Sequence, residues 1–309
     1  MSSPRITKLR KNAIRIPPDF LSQRLAASKP HIPHVATPVP LAIRPKNSLI
    51  AAAEKKNFSK VCEILNDQRN AVLLDRKSLN WTLRKAADQG HEHIVRLLLN
   101  KGVNVNDFEG DEDPALVCAS RNGHERMVQL LLEKGANIDA ARLEGDTALL
   151  VASRNGHGRI VRLLLKKGAD INARGEHNNS ALLAALYSGH EHIVRLLLEK
   201  GAGINAAGQD GDPPIVWTSR LGFHEMVRLL LEKGADANAV GEDGDTALVA
   251  ASQYGHEEIV GLLLEKGAYV NAIGIYGDTA LDIALRNGHK QIVSLLSAYG
   301  AQLLPKRRH

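Results

Sequence analysis

Most of the chain is built from pairs of short apolar stripes separated by glycine. In the stretch from residue 145 to 173, Thr147 precedes an apolar segment that Gly156 ends. A threonine side chain accepts a hydrogen bond from an unpaired amide of a helix's first turn, and glycine adopts the left-handed conformation that closes a helix. A second stripe from Ile160 to Leu165 follows, and Gly168 closes it. The pattern predicts two helices, each too short to be stable alone in water.

The same unit recurs at a fixed spacing. The turn glycine returns every 33 residues, at Gly90, Gly123, Gly156, Gly189, Gly222, Gly255 and Gly288. A histidine follows all of them but one, at His91, His124, His157, His190, His256 and His289, and Phe223 takes the remaining place. A period of 33 residues with two helices in each unit resembles the ankyrin repeat. The resemblance implies an all-α solenoid of stacked helix-turn-helix units, with β-hairpin fingers between successive pairs.

The periodic part fills most of the chain. We expect an ankyrin-repeat domain over residues 47–304 that is made of eight units. The first and last units should diverge, because a terminal repeat needs a polar free side. The boundaries of the units fall near 47–79, 80–112, 113–145, 146–178, 179–211, 212–244, 245–277 and 278–304.

Some units depart from the Thr-Pro-Leu-His opening that is usual in ankyrin repeats. Pro114 and Pro213 stand where the capping threonine belongs, so the preceding Asp113 and Asp212 are expected to cap those helices instead. The unit that contains Pro213 and Phe223 breaks the pattern at both ends of its first helix. We therefore expect the least regular joint of the array there.

Four further residues bear on individual helices. Gly158 and Gly261 fall inside predicted second helices, where each glycine costs about 1 kcal/mol relative to alanine. Asn57 stands 33 residues before Gly90 and therefore marks the turn of a divergent first unit. Ser48 is the expected N-cap of the first helix in that unit.

The first 46 residues differ from the repeats. They contain eight of the twelve prolines and nine Lys or Arg against one acid, Asp19, for a net charge of +8. Such a segment buries too little apolar surface to offset chain entropy, so we expect a disordered basic tail. Alternatively, the cations between Arg5 and Arg15 form an organelle presequence or a nuclear-import patch. Residues 16–25 resemble the opening of an F-box, which implies a ubiquitin-ligase adaptor. A further alternative is a tail that lies along the array and masks it.

Charge and cysteine content narrow the class of protein. The whole chain carries +6 and the basic C-terminal tail, residues 305–309, adds +3, so the repeats carry about −5. Cys62 and Cys118 are too few and too distant for a disulfide framework, which fits a reducing compartment. No run reaches the roughly eighteen apolar residues of a membrane span, and the N-terminus lacks a secretory core. We expect a cytoplasmic protein, with the nucleus as the alternative.

No pattern of residues indicates catalysis, a metal or a cofactor. The His-x-His pairs at 91–93 and 190–192 have a spacing that does not place two ligands on one helix face. The acidic stretch 107–113 lacks the ligand spacing of a calcium loop, and the chain has no phosphate-binding Gly-x-x-x-x-Gly-Lys. Cys118 and Ser153 occupy repeat positions without a base nearby in sequence. We therefore expect no catalytic residue, metal or cofactor.

The ankyrin resemblance implies where a partner would bind. In that family, contacts come from the residues before the Gly-Asp-Thr opening and from the two residues ahead of the turn glycine. We name these finger and first-helix positions together the recognition face. Carried onto this sequence, the partner-binding residues are Arg121, Asn122, Arg154, Asn155, Tyr187, Arg220, Tyr254, Arg286, Asp111, Glu144, Glu176, Asp210, Glu242, Asp243 and Tyr276.

These features predict a monomeric, non-catalytic scaffold or adaptor for protein–protein interaction. The partner would present a basic segment to the finger acids, with apolar anchors near Tyr254 and Tyr276, since aromatic residues dominate binding hot spots. The alternative is a nuclear or nucleic-acid-associated regulator led by the basic tail, because clustered cations alone bind phosphate. Sequence-specific binding of nucleic acid is not expected from an acidic body with few stacking aromatics.

Overall fold

The computed structural model describes residues 45–70, 74–108, 112–142, 145–274 and 276–303. Over those ranges the protein is helical, and short 3-10 turns occur at Gln68–Asn70 and Glu176–Asn178. The helices are α1 Pro45–Glu54, α2 Phe58–Asn66, α3 Arg76–Asp88, α4 Glu92–Asn100, α5 Ala115–Arg121, α6 Glu125–Glu133, α7 Ala148–Arg154, α8 Gly158–Lys166, α9 Ala181–Tyr187, α10 Glu191–Glu199, α11 Pro214–Leu221, α12 His224–Glu232, α13 Ala247–Tyr254, α14 Glu257–Glu265, α15 Ala280–Asn287 and α16 Lys290–Ala298.

Odd-numbered and even-numbered helices form two layers. Each odd-numbered first helix packs against the even-numbered second helix of its own unit and beside the first helices of neighbouring units. The apolar stripe read from the sequence faces the interface between these layers: Leu149 and Leu150 of α7 and Ile160, Val161 and Leu164 of α8 are buried. Full burial of one such side chain contributes about 1.5–3 kcal/mol before entropy. The predicted fold class, an all-α array of stacked helix pairs, is confirmed.

The recurring Gly-His pair holds consecutive turns together. Gly156 has φ of 80°, and a Cβ on it would lie 2.8 Å from the ring of His190 in the next unit. The Nε2 atom of His190 lies 3.0 Å from the carbonyl oxygen of Arg154. The same link joins His124 to Asp88, His157 to Arg121, His256 to Arg220 and His289 to Gln253. Glycine is needed there for its dihedrals and for the close approach of the ring.

A second ladder joins the fingers. The side-chain oxygen of Asn172 accepts a hydrogen bond from the backbone N–H of Gly203, at 2.9 Å. Asn106, Asp139, Asn205, Asn238 and Asn271 each make the same bond to the residue 31 positions later. Pairing within the described fingers is limited to single antiparallel bridges, Val240 with Thr246 and Ile273 with Thr279. Side-chain hydrogen bonds between fingers, more than strand pairing within them, therefore align the described fingers with one another.

The first unit is offset by one residue from the sequence register. Lys56, with φ of 56°, occupies the turn, and Asn57 caps α2 by accepting the N–H of Lys60 at 2.9 Å. The turn position is thus 34 residues before Gly90, so the assignment of Asn57 to the turn was wrong by one position. Helix α1 begins at Pro45, two residues before the predicted boundary, so Ser48 lies within the helix.

The helix starts follow the threonine and serine positions. Thr147 accepts the N–H of Leu150 as predicted, although the bond is long at 3.5 Å. Where proline replaces threonine, Pro114 and Pro213 are the N-cap residues themselves and form no side-chain cap bond. The capping role expected of Asp113 and Asp212 is therefore wrong.

The joint at Pro213 is the irregular one, as predicted. Buried apolar residues form two clusters, the first running from Leu49 to Ala202 with Met226 and Leu229, and the second beginning at Ile215. Helix α11 packs less closely against α9 than against α13. Phe223 at this joint cannot make the histidine link, because a phenyl ring has no hydrogen-bonding nitrogen.

Several predictions concern residues outside the described ranges. The basic tail and its alternatives, the C-terminal tail, and the finger acids Asp111 and Glu144 all stay predictions. In the part of the chain that is described, no helix has the length and apolar character that a bilayer crossing requires.

Candidate functional site

The arginines predicted on the recognition face are already paired within their own units. Arg121, Arg154, Arg220 and Arg286 each form an ion pair with the aspartate eight positions earlier, respectively Asp113, Asp146, Asp212 and Asp278. The hydrogen bond to Asp278 raises the pKa of the Arg286 guanidinium. Units that carry asparagine at the aspartate position, Asn80 and Asn179, have no arginine partner eight residues later.

The same aspartates also reach into the next finger. Asp146 Oδ1 accepts the backbone N–H of Glu176 at 3.0 Å, and Asp212 Oδ1 accepts that of Glu242 at 3.2 Å. Both aspartates are almost fully buried. Each therefore ties a first helix to a following finger, and the arginine neutralises the charge that this burial would leave uncompensated.

The two predicted asparagines also join units. Asn122 donates from Nδ2 to Asp88 Oδ1 at 2.8 Å and to the carbonyl of Cys118 at 3.0 Å. Asn155 donates to the carbonyl of Arg121 at 3.0 Å. Six of the fifteen predicted contact residues, the arginines and asparagines, thus have structural bonds that a partner would have to share or break.

Most acidic residues of the described fingers are exposed to solvent. Glu176 is half-buried, with Oε2 3.6 Å from Arg142 Nη2. Asp210, Glu242 and Asp243 are exposed, and the side chain of Asp243 keeps 68% of its surface while lying 3.3 Å from Arg220. With the arginines neutralised by their own aspartates, the described fingers carry an excess of negative charge.

The three predicted tyrosines divide into two kinds. Tyr187 is half-buried, its ring 4.4 Å from that of Trp217, and burial followed by the charges of Asp210 and Asp212 raises the pKa of its hydroxyl. Tyr254 and Tyr276 are exposed by 54% and 89%. Only the latter two offer most of their ring surface to a partner.

Grooves between first helices form two cavities on this face. One of about 220 Å³ lies between α13 and α15, with Tyr276 at its rim and Gln253, Asp278, Ile283 and Arg286 in its walls. The other, of about 280 Å³, lies between α3 and α5 and is lined by Trp81, Arg84, Lys85, Asp88, Glu112, Asp113 and Cys118. The sequence analysis missed this second groove, although Trp81 and Arg84 stand where most other units carry small or apolar residues.

The groove between α3 and α5 does not present an activated nucleophile. Burial, followed by the charges of Asp113 and Asp88, raises the pKa of the Cys118 thiol to about 11. A protonated thiol is a poor nucleophile and a poor metal ligand. Over the described ranges, no group of three or more His, Cys, Asp or Glu side chains is arranged to hold a metal ion.

Comparison with known proteins agrees with this architecture. A family described as ankyrin repeats (3 copies) matches over residues 49–142, 110–175, 139–208, 183–274 and 215–307. The chain belongs to the ankyrin-repeat family. Ankyrin repeats generally mediate protein–protein interactions and are typically non-catalytic modules.

Two solved ankyrin-repeat domains are similar to this chain. One, from Acinetobacter baumannii AYE, is 32% identical with a TM-score of 0.58, over 60% of this chain and 98% of that one. The other, the ankyrin repeat domain of Bcl-3 in the IkappaB protein family, is 28% identical with a TM-score of 0.63, over 70% and 97%. A search of curated proteins finds no match.

Proposed function

We propose that this ankyrin-repeat protein is a non-catalytic scaffold or adaptor that binds a basic segment of a partner protein on its recognition face. The observation that carries the proposal is the internal pairing of Arg121, Arg154, Arg220 and Arg286. Because each guanidinium is neutralised within its own unit, the charge left for a partner on the described fingers is negative.

The exposed tyrosines supply the apolar part of the contact. Tyr276 lines the groove between α13 and α15 together with Asp278 and Arg286, and the exposed Tyr254 is the last residue of α13. An aliphatic or aromatic side chain of the partner would pack on these rings while a lysine or arginine meets Asp243 or Glu242. Mixed contacts of this kind, with aromatic anchors surrounded by charged groups, are typical of interface hot spots.

Site-specific photo-crosslinking tests the proposal. A photoreactive amino acid at Tyr276, 89% exposed on a finger, is compared with one at Arg159, whose side chain is 85% exposed on the second helix α8. Equal exposure makes Arg159 a matched control for chance collision. We expect proteins captured in lysate at position 276 but not at 159, through peptides rich in lysine or arginine.

Replacement of both tyrosines provides the second readout. Tyr254→Ala with Tyr276→Ala should reduce recovery of the captured protein in a pull-down at least tenfold, since hot-spot residues each contribute roughly 2 kcal/mol or more. Equal capture at positions 276 and 159, or unchanged recovery by the double variant, would contradict binding at this face.

A further inference from the structure

The turn side of the array carries a polar ladder that stops in three consecutive units. In regular units an asparagine precedes the turn glycine, and Asn122, Asn155 and Asn287 bond back to the preceding unit. The histidine after the glycine makes the second link. In the units between, the asparagine position is held by Ser188, Leu221 and Tyr254. Backbone groups at this edge therefore lose side-chain partners that they have elsewhere in the described array.

Phe223 interrupts the histidine ladder at the same place. A Cβ on Gly156 or Gly222 would lie 2.8 or 2.6 Å from the histidine ring of the next unit, whereas one on Gly189 would meet nothing within 4 Å. The ring of Phe223 lies instead against Trp217, with centroids 5.6 Å apart, and Phe223 remains 40% exposed. The phenyl ring has thus left the position that the histidine occupies in the other units.

Apolar residues of three successive units lie along this edge. Tyr187 lies 4.4 Å from Trp217, and Trp217 lies 5.6 Å from Phe223. Beside Phe223, Gly222 is covered by the His256 ring, which stacks on Tyr254 with centroids 6.3 Å apart. We name this run the aromatic edge: Tyr187, Trp217, Leu221, Phe223 and Tyr254.

The aromatic edge leaves much of its surface open to solvent. Leu221, Phe223 and Tyr254 are 47%, 40% and 54% exposed. Single apolar residues on a surface are ordinary, whereas contiguous patches mark binding sites. The repeat itself does not require Leu221, Phe223 or Tyr254, because regular units fill those three places with asparagine or histidine. We therefore expect these side chains to become buried when a partner protein is bound.

The charges that border the aromatic edge are acidic. Asp210 lies close enough to Tyr187 to act on its hydroxyl, and Asp243 is within 3.3 Å of Arg220, which Asp212 already neutralises. On the other side, the exposed Glu257 begins α14 immediately after His256. A segment that covers the apolar run would therefore be attracted by cations and repelled by acids.

We propose that the aromatic edge docks a partner-protein segment in which an aliphatic or aromatic side chain stands next to lysine or arginine. The proposal rests on the proposed scaffold function and names the part of the surface that determines specificity. The apolar side chain packs against Leu221 and Phe223, and the adjacent cation lies near Asp210, Asp243 or Glu257.

Residues taken from the chain's own regular units make the test variant. Leu221→Asn with Phe223→His restores the asparagine and the histidine of this one unit and removes the apolar surface of both side chains, so the fold should be kept and its thermal midpoint unchanged or raised. Leu221→Ser, which copies Ser188, is a milder second variant at an exposed position. Tyr269→Ala on the same finger as Tyr276 serves as the matched control, since it removes a ring that is 70% exposed and lies outside both the aromatic edge and the predicted contact residues.

The probe is a random linear peptide library displayed on phage and selected against the full chain. We expect enriched peptides that pair an apolar residue with lysine or arginine. Their affinity should fall at least tenfold for the double variant, fall less for Leu221→Ser, and stay within twofold for Tyr269→Ala. Excess free selected peptide should protect Phe223 from oxidative footprinting.

Three results would overturn the proposal: no enrichment over a selection without protein, enriched peptides that are acidic, or equal affinity for the double variant. A loss of affinity for Tyr276→Ala with none for the double variant would contradict docking at the aromatic edge but keep the scaffold function. Absence of crosslinking at position 276 together with absence of peptide enrichment would contradict both docking at the aromatic edge and the scaffold function.

Discussion

Replacement of Gly261 by alanine should stabilise the array. Gly261 lies in the interior of α14 with an ordinary helical φ, and a Cβ there would meet only Leu295 Cδ2, at 3.8 Å. Glycine in a helix interior costs about 1 kcal/mol relative to alanine, mainly through backbone entropy. Since the added methyl makes an ordinary van der Waals contact, we expect Gly261→Ala to gain about 1 kcal/mol. A domain of this size class should then melt roughly 2–4 °C higher.

Gly158 provides the matched control. The sequence pattern places it inside a second helix like Gly261, but the structure shows it as the first residue of α8, where helix propensity counts less. A Cβ there would lie 2.9 Å from His192 Nε2. We expect Gly158→Ala to gain nothing in thermal melts followed by far-UV circular dichroism. Equal gains for both variants, or none for Gly261→Ala, would refute the reasoning.

Three further predictions concern the ends and the joints of units. Lys56→Gly should stabilise the first unit by about 0.5–1 kcal/mol and slow amide exchange in α2, because Lys56 holds φ of 56° that glycine adopts without strain. Asp146→Ala should cost about 2–3 kcal/mol in a urea titration and more than Asp146→Asn, since it removes both the Arg154 ion pair and the acceptor for the Glu176 N–H. The hydrogen bond from Arg76 holds the pKa of Asp107 below its ordinary value of 3.8, so this stabilisation is present above about pH 4 and lost as the pH falls through the folded-state pKa. Asp107→Asn should flatten that part of the plot of stability against pH.

The periodic positions of the fold could be predicted because the residue at each of them satisfies a local structural requirement. The position of Gly156 requires a left-handed backbone and a close approach of the His190 ring. Thr147 caps the N-terminus of a helix, and the apolar stripe from Ile160 must be buried. A residue that meets the same requirement in every unit recurs at the same spacing. Periodicity alone therefore shows the helix pairs and their order.

The role of the arginines was missed although the sequence contains a signal for it. Aspartate and arginine occur together eight residues apart in four units, whereas Asn179 is followed by Tyr187 and, as the one exception to the pairing, Asp245 is followed by Gln253. Paired occurrence of this kind indicates an internal ion pair, but family contact positions were assigned one residue at a time. Arg121, for example, was predicted as a contact without reference to Asp113.

The register of the first unit could not be read from spacing. The segment between α2 and α3 contains a 3-10 turn at Gln68–Asn70 and lacks the Gly-Asp-Thr opening that fixes the register elsewhere. A lysine does not mark a turn in the sequence. Lys56 adopts a positive φ because the chain reverses there and Asn57 caps α2. Coordinates were needed to place Lys56 in the turn.

The side-chain links between units all reach one module along the chain. The histidine link spans 36 residues, the finger asparagine link 31, and the aspartate link to the next finger 30. Deletion or duplication of one whole 33-residue unit among the regular units would leave each donor with an equivalent acceptor. The fold should therefore tolerate such genetic changes. Loss of a single codon inside a helix pair would instead put the links that span the deletion out of register. The length of this protein can therefore evolve in steps of one period while its contacts stay matched.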